Sequence, residues 1–553
     1  MTQTKAAFNQ INGNVVSVLD YGAVGDGVTD DGSAVVNAIS DAATGSTIVF
    51  PSGSYLVGQD FGVSKKLHII IKAGATITFT AQPSFSNGIG ALNPGFQARY
   101  GAGIFNFLSG AEGSKFECYG VLNPTGNNNR TVATEPVQVS GVMIRDCDNV
   151  KVFGDMEIQN TFNGVTVVDS DECKIYDVRV TNAPTNSNAA VDVEASDKGE
   201  IRRIRSTAGY EETVDLNTLN NDWVLDDIRG DNIDQNVLEI NESINIRATN
   251  VKSINGECFH CFNYESSRER WTRRGRNVAD YKNRGLKIDG TAWYDSSYSE
   301  SLDNSSFDIE HSISGEYNLT VHVEDNVPGT ERIGRYLHMR NRTDQRANRV
   351  RIQVYSPQVD LIDNAAGGTE DAGIIIERGI ESYVSVWAWV AMTGATQPLI
   401  RSSGSNTTVF IEMCRSQSGT GICFKSVASA SLNNPVLLMN PLAISNFATK
   451  VTLNSDGEYV LPYTVGNDSE RVVAGFGQMH ISTEGAAADI NEIDFYNRTA
   501  PAWVQTQAGY RSGSATPNGT ILPRFIGEEY LDSTANVWYK SKATGLNDWV
   551  ALN

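Results

Sequence analysis

The sequence predicts an all-β chain wound as a solenoid of short parallel strands, and three observations lead there. The 553 residues include 50 Gly among abundant Asn, Asp, Ser, Thr, Val and Ile, with no long Leu/Ala/Glu/Lys stretch of helical period. That mixture describes many short strands joined by tight turns. A fixed period supplies the second observation: Val142, Val165, Val191, Val214 and Leu238 open similar strands at steps of 23, 26, 23 and 24 residues. The third is an echo, with Val152, Ile175, Ile201 and Val224 ten residues after the first four, and Ile246 eight after Leu238. Two strand columns that advance together define the coils of a solenoid. The longer step carries its extra residues in Ala183-Pro184-Thr185-Asn186-Ser187-Asn188, a turn composition.

Ahead of the repeat, Val18 to Val57 reads as a cap. Gly22, Gly25 and Gly27 suit tight turns, Asp30 and Asp31 can cap a helix, and Ala34 to Ala42 has helical spacing. Thr47 to Phe50 reads as a strand and Pro51-Ser52-Gly53 as a turn. Such a segment would cover the open end of a strand stack, whose unpaired backbone groups otherwise invite other chains. After the repeat, further coils are expected at Phe307 to Ile309, Tyr336 to Met339, Ile374 to Glu377, Leu399 to Arg401 and Ile422 to Phe424. Past Lys450 the pattern lengthens, with strands at Tyr459 to Tyr463 and Ile490 to Tyr496, and ends in the alternating aromatic and polar residues around Tyr530, Trp538, Tyr539 and Trp549. The expected organisation is a connector over 1–18, a cap over 19–60, a parallel β-helix over 61–450 and a β-rich module over 451–553.

Asp20-Tyr21-Gly22-Ala23, Gly25-Asp26-Gly27, Thr29-Asp30-Asp31 and Pro51-Ser52-Gly53-Ser54-Tyr55 closely resemble the amino-terminal signature of the pectate-lyase-like β-helix superfamily, which is common in phage tailspikes and in polysaccharide hydrolases and lyases. Gly32 departs from the signature, standing where the family usually has a small hydroxyl residue. The terminal segment around Gly527 to Val550 resembles one frequent in phage tail proteins. The resemblance implies a right-handed parallel β-helix, a homotrimer with a C-terminal β-rich module, and a virion location on a phage tail or its adaptor protein. It also implies recognition or depolymerisation of a bacterial surface polysaccharide.

The formal net charge of -21 excludes a general nucleic-acid binder, which needs a basic face. No segment offers the roughly 20 apolar residues that span a bilayer. Seven cysteines, an odd number dispersed over the chain, read as reduced core residues, and Cys258 and Cys261 are expected on opposite faces of one strand.

Strand alternation converts the repeat into a surface map. With Val191 and Val193 inward, Asp192 and Glu194 point outward; the same rule places Asp215 and Glu239 in the column of Asp192, with His260 next. Carboxylates about 5 Å apart on adjacent coils, or roughly twice that across three, bracket the retaining and inverting glycosidase geometries. Asp192, Asp215 and Glu239 are therefore the candidate catalytic residues of an endo-glycoside hydrolase. A solvated acidic strip and a Ca²⁺ site are the alternatives; no other cofactor or metal is expected. Glu211, Glu212, Asp222, Asp226 and Asp227 lie on nearby turns and are further candidates.

Beyond the ladder runs a basic stretch through Tyr264, Arg268, Trp271, Arg273, Arg274, Arg276 and Arg284, which suits an anionic glycan: guanidinium for carboxylate, aromatic rings for sugar faces. Together with Glu194 and His260 these form the expected substrate-binding set, unless the stretch pairs with an acidic neighbouring subunit. Two other functions stay open: a uronate lyase using His260, Tyr264 or Lys282 as base, and a non-catalytic glycan adhesin.

Overall fold

The computed structural model describes residues 14–80 and most of 103–452. The principal gaps there are 125–130, 183–186, 263–271, 278–281, 298–301, 328–331, 341–345, 362–371, 378–381, 393–397, 403–406, 427–435 and 440–443; beyond 452 it describes strands and short turns only. Glycine and β-branched residues at the predicted positions give strands of three to nine residues for the most part, stacked in parallel. Each coil adds one strand to a 14-stranded parallel sheet that runs from Phe61–Val63 to Thr449–Thr452. The rest of the coil joins a larger sheet around the other sides. Early coils place two separate strands there, such as Lys151–Phe153 and Met156–Gln159. In the next coil these fuse into the single strand Lys174–Thr181, bent at Asp177 with φ of 58°.

Left-handed residues recur at equivalent corners of successive coils, as at Asn149, Glu172, Lys198, Asp222 and Asn245. Asn and Asp tolerate that conformation because their short polar side chains bond locally, whereas Lys does so at a cost. Inside, like stacks on like. Val142, Val165, Val191, Val214 and Leu238 are register partners in succession, as the period predicts. The second column differs: Ile201 pairs with Leu225 and Leu225 with Ala248, so Val224 and Ile246 lie outside it. The connection from Val214 is one residue longer than in the coils before it, and a slip of one reverses the faces of a strand. Val224 is accordingly 38% exposed and Leu225 fully buried.

Backbone groups at the end of the 14-stranded sheet are satisfied by buried asparagines. The amide of Asn220 donates to Val193 O at 3.0 Å, Asn283 donates to Phe262 O at 3.0 Å and Ile240 O at 3.2 Å, and Asn348 accepts from Gly315 N at 2.8 Å while donating to Ser312 O at 2.9 Å. Buried polar backbone left unpaired would be costly, which explains these amides in an apolar core.

The amino-terminal cap forms much as expected, with a helix over Gly32–Asp41 and strands at Thr47–Phe50 and Gly53–Val57. Asp31 occupies the N-cap position, yet its carboxylate reaches back to Val24 N at 2.6 Å and Gly25 N at 3.2 Å, fastening the glycine turn instead. Toward the other end, parallel pairing continues through Val460–Gly466 and Met479–Ser482 and then becomes antiparallel at Glu492–Asn497. A final meander joins Glu529–Asp532, Val537–Ser541 and Trp549–Leu552. Among the described residues no helix is long and apolar enough to cross a membrane.

Two adjacent residues test the packing in opposite directions. A Cβ on Gly199 would lie 2.2 Å from the fully buried Trp223 ring, so Gly199→Ala should destabilise by about 1–3 kcal/mol. Lys198 is exposed with φ of 57°, and Lys198→Asn should stabilise by up to about 1 kcal/mol. Denaturant midpoints of the two variants against the parent are the measurement.

Candidate active site

On the 14-stranded sheet the alternation of faces is broken once per coil. Ala190 and Val191 both enter the core, as do Val237 and Leu238, and Cys258 and Phe259. Thr213 turns inward beside Val214 and shares a 2.5 Å hydrogen bond with Ser206. Cys258 and Cys261 consequently both face the core and are free thiols, not residues of opposite faces. The same break brings an outward position three residues ahead of the predicted column. Ala189, Glu212, Asn236 and Glu257 form that second column in register. Beside it run Asp192, Asp215, Glu239, His260, Asp308 and His338, each the register partner of the next. At about 4.8 Å per coil, the spacing of the predicted ladder is preserved.

These outward-facing groups are not a solvent-exposed strip. Asp192 and Glu194 are each 1% exposed, Glu212 and Asp215 4%, Glu239 6% and Glu257 8%. Two amides orient the central carboxylate, Asn241 donating to Glu239 at 2.8 Å and Asn236 at 3.1 Å, while Asn163 donates to Asp192 at 3.2 Å. Burial, followed by the nearby charges of Glu239, Asp215, Glu211 and Asp192, pushes Glu212 well above the usual carboxylate range. Burial likewise raises Glu257; His260 and Arg340 oppose the shift, whereas Asp308 and Glu239 add to it. Burial and neighbouring carboxyls thus keep Glu212 and Glu257 protonated into a higher pH range than exposed carboxyls.

The next coils carry compensating cations. Arg340 grips Asp308 through Nη2 at 2.7 Å and Nε at 2.9 Å, and Glu310 through Nη1 at 2.9 Å. His260 Nε2 lies 3.5 Å from Glu310 Oε1. Desolvation disfavours its imidazolium, but the contact with Glu310 and the charges of Glu257, Asp308 and Glu239 prevail and raise His260 to about 9. His260, Asp308 and Glu310 each offer one potential ligand atom, all within 4.8 Å of one another. The Arg340 guanidinium already bonds both carboxylates, so an added metal ion would have to displace an internal cation.

The structure thus brings Asp192, Asp215, Glu239, Glu194 and His260 onto one face. Tyr264, Arg268, Trp271 and Arg274 lie outside the described residues. Thr272–Arg273 and Arg276–Asn277 form a two-stranded antiparallel hairpin, and the side chain of Arg273 is likewise outside the description. Glu257, Asp308, Glu310 and Arg340 belong to the cluster but did not emerge from the sequence. A usable signal existed for Glu257: the three-residue spacing of Glu212 to Asp215 and Asn236 to Glu239 recurs as Glu257 to His260.

Protonation sets a pH dependence of stability. Glu212 and Glu257 hold protons in the folded state that the unfolded chain releases above the ordinary carboxylate value of 4.5. Their contribution is therefore complete below that value and disappears as pH rises through the raised folded values. His260 acts in the same sense, fully below 6.5 and lost as pH rises through about 9. Unfolding midpoints should fall on alkalinisation. His260→Gln should flatten the fall between those two pH values, and NMR of the imidazole should place its titration near the upper one.

In comparison with known proteins, a curated relative, the plasmin and fibronectin-binding protein A of Streptococcus pneumoniae (strain ATCC BAA-255 / R6), is 43% identical over 65 residues, 11% of this chain and 9% of that protein. Among solved structures, an iota-carrageenase complexed to iota-carrageenan fragments superposes with a TM-score of 0.36 at 16% identity, covering 50% of this chain and 64% of the other. An endo-xylogalacturonan hydrolase from Aspergillus tubingensis gives a TM-score of 0.39 at 14% identity, covering 81% and 95%. The chain spans less than a tenth of the curated relative. The family match is confined to the amino-terminal segment: residues 15–106 match the family described as Rhamnogalacturonase A/epimerase, pectate lyase-like.

Proposed function

We propose that the chain hydrolyses glycosidic bonds within an anionic bacterial surface polysaccharide, as the tailspike depolymerase of a phage. The observation that carries the chemistry is the influence of Glu239 on buried Glu212, whose register partner Asn236 donates to Glu239. Glu212 is buried and driven upward, with Glu239 the largest charge acting on it, and so holds a proton to give the leaving oxygen. Glu239, held as a hydrogen-bond acceptor by Asn236 and Asn241, is the carboxylate that completes the pair. Asp215, the register partner of Glu239, and Asp192 beyond it extend the charged floor of the site. Carboxyls about 5 Å apart favour a retaining double displacement, and a wider pair an inverting one.

The tailspike role and the polysaccharide substrate draw on the resemblance at Asp20 to Tyr55 and on the terminal meander. Arg273, Arg274 and Arg276 are proposed to hold the anionic polymer.

Incubation with capsular polysaccharides, followed by size and mass analysis, separates the outcomes. Hydrolysis adds water, whereas an unsaturated end identifies a lyase. Glu212→Gln and Glu239→Gln are nearly isosteric and should lower turnover about 10² to 10⁴-fold with binding retained. Asp192→Asn and Asp215→Asn extend the same test along the column. Wild-type rates in both Glu variants would remove this site from the reaction. The tailspike reading further expects a homotrimer. Sedimentation as a monomer at micromolar concentration would count against it.

A further inference from the structure

On the larger sheet, away from the acid column, four half-buried rings stand in register: Trp293, His322, Tyr355 and Trp389. Trp293 and His322 stack at 4.1 Å with 25° between planes, and His322 and Tyr355 at 5.2 Å with 13°. Trp389 breaks the run, its ring at 88° to Tyr355 and 5.5 Å away. Cations close both ends, Lys252 Nζ lying 4.3 Å above the Trp293 ring and Arg415 5.0 Å over Trp389. Both outer indoles are pinned through their N–H groups, Trp293 to Glu324 at 2.9 Å and Trp389 to Gln417 at 3.2 Å.

A parallel column runs two residues earlier on each strand: Thr291, Thr320, Gln353 and Trp387, again in register. Trp387 is partly exposed and, among the described residues, makes no ring or cation contact. Aromatic rings and hydroxyl or amide side chains thus lie side by side over about three coil steps, roughly 14 Å, with Arg415 at one end and Lys252, accompanied by Glu324, at the other. A protein surface docking here would leave the Thr and Gln groups poorly matched. A sugar chain presents both an apolar ring face and hydroxyls, and an anionic one also suits Lys252 and Arg415.

We infer that Trp387 and Trp389, with Tyr355, Gln353 and Arg415, form a second glycan-binding site that holds an acidic polysaccharide along the helix axis, apart from the acid column. The stacked rings of Trp293, His322 and Tyr355 serve as its rigid base. The ligand class rests on the hydrolase reading above. Tethering a polymer at a second point raises its local concentration at the first without any new contact at the acid column.

The test uses the full chain carrying Glu212→Gln, so that polymer is bound without being consumed. Affinity electrophoresis in polygalacturonate and in alginate, with dextran as the neutral control, measures retention. Adding Trp387→Ala should weaken retention by the acidic polymers at least about tenfold, and Trp387→Phe, which keeps a ring, should restore most of it. Equal retention with and without Trp387→Ala overturns the second site while leaving the hydrolase reading intact. Retention of neither acidic polymer by the Glu212→Gln protein likewise overturns the second site, while the hydrolase reading stands or falls on the capsular polysaccharides above. A change of sedimentation coefficient caused by Trp387→Ala would mark the row as a subunit contact and likewise overturn the proposal.

Discussion

Each coil passes its register to the next through parallel backbone hydrogen bonds, so equivalent residues of successive turns sit about 4.8 Å apart for the length of the stack. That constraint decides what can occupy every column. Inside, it stacks Val142, Val165, Val191, Val214 and Leu238 into a continuous apolar ridge. At the sheet end it sets Asn220, Asn283 and Asn348 where backbone groups would otherwise lack partners. On the larger sheet it brings Trp293, His322 and Tyr355 to ring-stacking distance.

Applied to acids, the same register creates tension. Asp192, Asp215 and Glu239 share a column that is almost fully buried, and Glu212 and Glu257 join them from the column alongside. Like charges this close and this dry cannot all ionise at ordinary carboxylate pH, and the raised values of Glu212 and Glu257 express that. The chain places cations at the far end of the cluster, where Arg340 and His260 meet Asp308 and Glu310. A gradient from crowded acids to paired charges therefore runs along one face.

The stacked scaffold also separates stability from chemistry. Inward columns and corner residues such as Asn149 and Asn245 fix the coils, while outward columns can change composition from coil to coil without disturbing the register. The acid cluster and the aromatic row use different faces of one repeat, which lets two kinds of surface chemistry share a single framework.

The period of about 23 residues, the apolar columns and the acid column were legible in the sequence because in-register stacking repeats local patterns along the chain. So were the coils at Phe307, Ile374, Leu399 and Ile422, and the capping helix. Burial of the acids was not legible, since a period says which way a residue points and not what surrounds it. Glu257 was missed because strict alternation does not allow two successive inward residues, and Cys258 and Phe259 are such a pair. Val224 was misplaced because counting by ten cannot see one added residue in a turn. Arg340 lies 80 residues after His260 in the chain but only two coil steps away, across strands of irregular spacing. Only three-dimensional winding brings such distant residues together, because contact in a solenoid depends on coil number and not on separation along the chain.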